Sequence, residues 1–258
     1  MRREPDLAGT TEDAVLGGRL VLRQPRRGHR VGHDAILLAA ATRGAAGEHA
    51  VDLGAGVGAA GLALAARVPG LRLTLVEIDP ALAALAADNI ERNQLADRAR
   101  AVALDATAPA RAFAAAGLPP GCADRVLMNP PFNDRATRNL SPDAGRRLAH
   151  VSAAGVAPWL RSAGRLLRAG GSLTVIWRAD GLAGVIAALA RDFGAVAVQP
   201  VHPRPDAPAI RVLVRAVKES RAPLALLPAL ILADADGRPT EEAEAVLRHG
   251  ATLPLAEA

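Results

Sequence analysis

The chain has 258 residues, half of them hydrophobic and 22% charged, a balance that excludes disorder and allows a sizeable buried core. Its single cysteine, Cys122, excludes an internal disulfide and a cysteine-cluster metal site, and the six histidines lack a close metal-ligand spacing, so no metal is expected. The net charge of +5 rests almost wholly on arginine, Lys218 being the one lysine, and it suits an anionic partner such as nucleic acid.

The opening MRREPDLAGTTED lacks the apolar run of a secretory signal, and no uninterrupted apolar run reaches the roughly 18 residues of a membrane span. A cytoplasmic protein with no membrane partner is expected. Residues 1–17 read as a loose polar leader. Arg19 to Gln24 alternates polar and apolar residues, which predicts a short strand. A basic turn follows, and Asp34 is placed to cap a helix over about 35–41.

From Ala50 the rhythm changes. A short apolar strand (AVDL) runs into glycines and a helix over about 59–67; a strand spans 71–76; a helix follows behind Pro80 to about Asn93. Strands are predicted over 100–104 and 125–128, helix over about 143–168 closed by Gly170-Gly171, a strand over 172–177 and a helix over about 182–191. Strands near 196–201 and 210–217, joined by the loop HPRPDAPA, read as a hairpin. The tail beyond Ser220 is interrupted by prolines and closes on a short acidic helix near 241–248. Alternating strands and helices predict an α/β fold: a mostly parallel, seven-stranded sheet with helices on both faces and a C-terminal antiparallel hairpin. One domain is expected, with residues 18–45 as an N-terminal extension, 46–218 as the core and 219–258 as a tail packed on it.

Two motifs carry chemistry. The first is Asp52-Leu53-Gly54-Ala55-Gly56-Val57-Gly58-Ala59-Ala60-Gly61, a strand, a glycine turn and a helix start. Gly56, Gly58 and Gly61 fit the spacing G-x-G-x-x-G, which lets backbone approach a ligand closely. Glu77, nineteen residues after Gly58 at the end of the next strand, suits the two hydroxyls of a ribose. These features alone fit a nicotinamide dinucleotide as well as S-adenosylmethionine. The second motif is Asn129-Pro130-Pro131-Phe132, closing a strand. An exocyclic amine is a poor nucleophile because its lone pair is delocalised. The Asn129 side-chain oxygen and the Pro130 carbonyl can accept its two N–H bonds and aim the lone pair at a methyl group. Pro131 stiffens the turn, and Phe132 offers a stacking face for a flipped base.

Asp52, two residues before the first glycine, resembles the opening acid of the D-x-G-x-G motif of class I S-adenosylmethionine-dependent methyltransferases. An acid there suits a cationic cofactor and repels a pyrophosphate. That resemblance implies a Rossmann-like fold, with Gly54, Gly56, Gly58 and Glu77 at the cofactor and Asp105 against its adenine amine. Asn-Pro-Pro-Phe resembles the [DNS]-P-P-[YFW] motif of amino-methyltransferases acting on adenine, cytosine, guanine or glutamine nitrogens. The order G-x-R-x-x-x-D-A-x-L-L-A from Gly28, then the glycine motif, V-E-x-x-P and N-P-P-F, resembles the tRNA(Val) adenine-N6 methyltransferase group of the small-domain methyltransferases; it runs from about Gly17 to Arg248. It implies that Arg30 and Asp34 lie near the cofactor's methionine end, that Asn129 also borders the cofactor, and that the substrate is RNA, expected to be tRNA. In place of that group's usual aromatic residue the first segment has His29. Arg30, Arg135 and Arg138 flank the two motifs and suit phosphates beside a flipped base. A protein glutamine-N5 methyltransferase keeps the chemistry and changes the partner. A nicotinamide-dependent oxidoreductase and a non-catalytic RNA-binding module are weaker readings, because neither uses Asn-Pro-Pro-Phe.

Overall fold

The computed structural model of the chain describes residues 9–26, 31–131 and 155–258. Strands β1 (Thr10–Val15) and β2 (Leu20–Pro25) form an antiparallel hairpin. Helix α1 (His33–Ala41) follows, then β3 (His49–Leu53), α2 (Ala59–Arg67), β4 (Arg72–Glu77), α3 (Pro80–Arg92), β5 (Ala99–Ala103), α4 (Ala110–Ala115) and β6 (Ala123–Met128). Beyond them lie α5 (Ala157–Leu166), β7 (Leu167–Arg178), α6 (Leu182–Leu189), β8 (Phe193–His202) and β9 (Arg211–Lys218). The tail adds β10 (Ala225–Leu226), β11 (Leu230–Ile231) and α7 (Glu241–Leu247).

The seven strands β3 to β9 lie in the order β5-β4-β3-β6-β7-β9-β8, parallel except for β9, which is antiparallel to both neighbours. This is the expected Rossmann-like sheet with its C-terminal hairpin. Two short tail strands, β10 and β11, extend it by pairing in parallel with β8. The chain leaves β3 toward β4 and β5 and returns on the other side at β6, so strand order reverses between β3 and β6. Open α/β sheets bind ligands above the carboxyl ends of the strands at such a point.

One apolar layer packs α1, α2, α3, the hairpin and the tail on one face, with Leu22, Leu37, Leu64, Leu75 and Leu213 at its centre. A second layer packs α4, α5 and α6 on the other face and holds Phe113, Trp159 and Phe193. Helix α2 is buried from Ala59 through Leu64 to Ala65, an apolar run whose small residues let it lie close on the sheet. At Gly61 an added Cβ would lie 2.5 Å from Leu75 Cδ2, so only glycine allows that approach.

Four expectations need correction. The leader read through Gly17 contains β1, because β2 supplies its ladder partner across the turn at Leu16–Gly18. Helix α1 is capped by Gly32, not by Asp34, which sits in the first turn with its carboxylate turned to Arg211 instead. Leu167 and Arg168, read as the end of the preceding helix, and the Gly170-Gly171 read as closing it all belong to β7: Leu167 pairs with Ala123 and a register shift absorbs the glycines. The tail segments 225–226 and 230–231 are strands because β8 offers them an edge. The helix expected over 143–154 lies outside the described residues.

The hairpin is tied down by side chains that mimic a neighbouring strand. Asn93 accepts from Val21 N at 2.9 Å and donates to Val21 O at 2.8 Å; Asn89 does the same with Arg23 N and O at 2.7 and 2.9 Å. Four residues apart on α3, the two amides share one helix face and satisfy the free edge of β2. Asn89, fully buried, also donates to Val57 O in the glycine loop at 2.9 Å.

Candidate functional site

Strand β3 ends at Leu53, paired with Met128 at the end of β6, so Gly54 and Asn129 leave the sheet side by side at the reversal point. Gly54 and Ala55 donate to Val76 O at 2.8 and 3.0 Å, which bends the loop over the end of β4. Gly54 has φ +74°, and a Cβ there would lie 2.6 Å from the Trp159 ring, so both conformation and space demand glycine. Gly56 differs. It also has positive φ, +57°, but among the described residues an added Cβ would meet nothing within 4 Å. The Cβ side of Gly56 is thus clear of described neighbours, as a loop that cradles a ligand needs.

The acids of this region are held by the loop. Asp52 is 2% exposed, and its Oδ2 accepts from Gly61 N in α2 at 2.8 Å. Burial, reinforced by the nearby Glu77 charge, pushes its carboxyl up to about 7 against the Gly61 hydrogen bond. The acid expected to face a cationic ligand therefore lies beneath the turn and fastens it. Glu77, at the carboxyl end of β4, accepts from Gly56 N at 2.8 Å and Asp79 N at 2.9 Å, and burial raises its carboxyl above the usual range. Asp105 follows β5 and accepts from Thr107 N and Oγ1 at 2.7 and 2.8 Å. Asp79 caps α3 through Ala81 N, with Pro80 in the first turn.

Asn129 is different in kind. Its Oδ1 is buried and has no hydrogen-bond partner among the described residues. A buried orphan acceptor costs about 1–3 kcal/mol, and a ligand N–H would remove that cost. Pro130, buried, follows it, and Pro131 is half-buried; neither has a backbone N–H to satisfy the oxygen. Among the other sequence-derived candidates, Asp34 forms a 2.9 Å ion pair with Arg211 at the start of β9, on the same carboxyl edge of the sheet. Phe132, Arg30, Arg135 and Arg138 lie outside the described residues.

Gly54, Gly56, Gly58, Glu77 and Asn129 are thus brought to one edge, with Asp52 below them. Two contributors escaped the sequence reading. Trp159, on α5, is 5% exposed and its ring is what forbids a side chain at Gly54; its Nε1 also lacks a partner among the described residues. Arg211 anchors Asp34 across 177 residues of chain. Only the rarity of Trp could have flagged the first, and nothing local flags the second.

Among the described residues no cluster of His, Cys, Asp or Glu could hold a metal ion, and no helix is long and apolar enough to cross a membrane. Comparison with known proteins adds three findings. A family model described as the methyltransferase small domain matches residues 30–201. The structure is similar to that of a predicted O-methyltransferase from Agrobacterium tumefaciens, with a TM-score of 0.70 and 32% identity, covering 85% of this chain and 98% of that one. Among curated proteins, 109 residues are 39% identical to the 23S rRNA (uracil(1939)-C(5))-methyltransferase of Acidithiobacillus ferrooxidans; the match covers 41% of this chain and 23% of that protein, so the chain spans under a quarter of that relative.

Proposed function

The chain belongs to the methyltransferase small-domain family, and on that premise we propose that it methylates the exocyclic N6 amine of an adenine in RNA, specifically tRNA. It is an S-adenosylmethionine-dependent methyltransferase. The observation that carries the finer reading is the buried, unpartnered Asn129 Oδ1 beside the glycine loop.

The residues present fit the cofactor: the Cβ side of Gly56 is clear of described neighbours, and Glu77 closes the neighbouring strand. In this reading the Gly54–Gly58 loop and Glu77 would hold the cofactor, Glu77 keeping its bond to Gly56 N while its remaining lone pairs accept from the ribose hydroxyls. Asp105 reaches its adenine amine, and Asp34, fixed by Arg211, stands at its methionine end. Asp52 acts through the loop by holding Gly61. Bound S-adenosylmethionine supplies an electrophilic methyl on a sulfonium sulfur, which departs as a thioether. Asn129 Oδ1 and the Pro130 carbonyl accept the two N–H bonds of the substrate amine and turn its lone pair out of conjugation, toward the methyl. Once the amine had taken the methyl, the extra proton on its nitrogen would leave to solvent. Positioning and electrostatics supply the acceleration. Phe132 is the proposed stacking face, and Arg30, Arg135 and Arg138 the proposed phosphate contacts.

Two acceptors, Asn129 Oδ1 and the Pro130 carbonyl, match the two N–H bonds of an amine, whereas a hydroxyl has one O–H to give and a ring carbon none. Methylation of uracil at C5, the activity named for the curated relative, needs a nucleophile to add to the ring first. The one thiol, Cys122, precedes β6 and lies a strand's length, about 20 Å, from Asn129, with burial pushing it up. What that relative lends is support for RNA as the substrate class.

The test is transfer of labelled methyl from S-adenosylmethionine to total RNA and, separately, to total protein from cells lacking this chain. N6-methyladenosine recovered from tRNA-sized RNA is the expected result. Label confined to protein would move the activity to glutamine N5.

A further inference from the structure

A cavity among the described residues lies away from the methyl-transfer site. It has a volume of about 320 Å³ and opens between α1 and α2, under the hairpin turn and the C-terminal tail. Its walls are small or aliphatic: Ile36 and Ala40 from α1, Ala63 and Ala66 from α2, Leu16 from the hairpin turn and Val246 from α7. Small side chains on two adjacent helices leave the space unfilled, whereas protein interiors otherwise pack densely.

Two guanidinium groups, Arg19 and Arg67, also line the cavity, and among the described residues no acidic side chain does. Arg67 donates to Ala39 O at 2.8 Å and to Thr42 O at 2.5 Å, the last carbonyls of α1. Arg19 donates through Nε to Leu16 O at 3.2 Å. Their recorded partners are neutral carbonyls; neither has a carboxylate within ion-pair distance among the described residues. Burial, with no opposing negative charge, pulls Arg67 below its usual value. An apolar cavity with a few convergent polar groups is the ordinary form of a small-molecule site.

We propose that this cavity binds a small aliphatic carboxylate, its hydrocarbon body against Ile36, Ala40, Ala63 and Val246 and its carboxylate between Arg19 and Arg67. A guanidinium pair matches a carboxylate in charge and in bidentate geometry, and the volume falls at the lower end of the range for ligand pockets. The occupant would bridge four parts of the molecule that otherwise meet around a void. Helices α1 and α2 both begin at the cofactor edge and run nine residues, about 13 Å, past it. The cavity is therefore a second site, joined to the first by two rigid elements.

The experiment is thermal unfolding of the full chain titrated with sodium octanoate at constant ionic strength, with 1-octanol as the uncharged control. A saturable rise of about 3 °C is expected when octanoate reaches tenfold over its Kd. Octanol should bind several-fold more weakly. Ala66 is exposed at the rim, so Ala66→Phe fills the opening with little cost to the fold and should abolish the shift. Arg19→Gln should reduce octanoate to the octanol level. A non-saturating response, equal responses to octanoate and octanol, or an undiminished shift in Ala66→Phe would each overturn the proposal.

Discussion

The glycine loop above β3 and the end of β6 lie side by side, one ladder apart, yet their polar atoms stand in opposite conditions. Around the loop each of the three acids has a donor: Asp52 has Gly61 N, Glu77 has Gly56 N and Asp79 N, and Asp105 has Thr107. At the end of β6, Asn129 Oδ1 is buried without one among the described residues, followed by two residues that have no N–H to give. A self-satisfied loop is pre-organised and persists without a ligand. An orphaned acceptor is a cost the fold carries until a ligand supplies the donor. The difference separates the part of the site that holds its shape from the part that is completed by what binds.

The largest expected effect tests the orphan. Asn129→Ala should lower kcat by about 100- to 1000-fold, the usual loss of one transition-state hydrogen bond. Apo stability should hold or rise, since the change removes an unpaired acceptor. Calorimetric binding of S-adenosylhomocysteine would show near wild-type affinity. Unchanged kcat would erase the contrast between the two regions.

Next comes the loop. Gly54→Ala forces a Cβ into the Trp159 ring at a positive φ, and a loss of about 3 kcal/mol is expected in denaturant unfolding. A smaller loss would mean that Trp159 yields easily.

Asp52 gives a pH signature. Its folded value near 7 stands above an unfolded value near 4, so the native state binds the extra proton. Stability from this group is complete below about pH 4, falls as pH rises and has gone above about pH 7. Asp52→Asn keeps an acceptor for Gly61 N and has no charge to desolvate. It should match wild type near pH 4 and exceed it by about 2 kcal/mol at pH 8, half the nominal value of the shift. A parallel pair of Tm-against-pH curves would sink this account of the buried acid.

The smallest effect is at Gly56. Alanine there meets no neighbour among the described residues, so only the positive φ is penalised, by about 1 kcal/mol of stability. Its signature is in binding: the methyl group occupies ligand space, and cofactor affinity should fall more than stability does. Equal losses in Gly54→Ala and Gly56→Ala would show that the loop is one structural unit with no ligand-facing side.

Much of this was legible because the signals are local. Helix α2 spans the predicted 59–67, Pro80 starts α3, and the β8–β9 hairpin lies where alternating residues and the proline loop put it. Both motif turns fall at strand ends, as glycine and proline chemistry requires. The roles within the site were less legible. Asp52 reads as a ligand-facing acid, yet the sheet's pleat turns it inward toward α2, where it accepts from Gly61 N.

By itself, the sequence determined the alternation of strands and helices from β3 to β9, the positions of the glycine turn and the Asn-Pro-Pro turn, and the apolar faces that make a covered parallel sheet; these follow from periodicity and from residues with few backbone options. Only the tertiary structure decided which polar atoms are satisfied and which are not. The ion pair of Asp34 with Arg211, the amides of Asn89 and Asn93 on β2, the Trp159 ring over Gly54 and the solitude of Asn129 Oδ1 all depend on residues distant in the chain. Their partners are set by strand order and register, which no local pattern encodes.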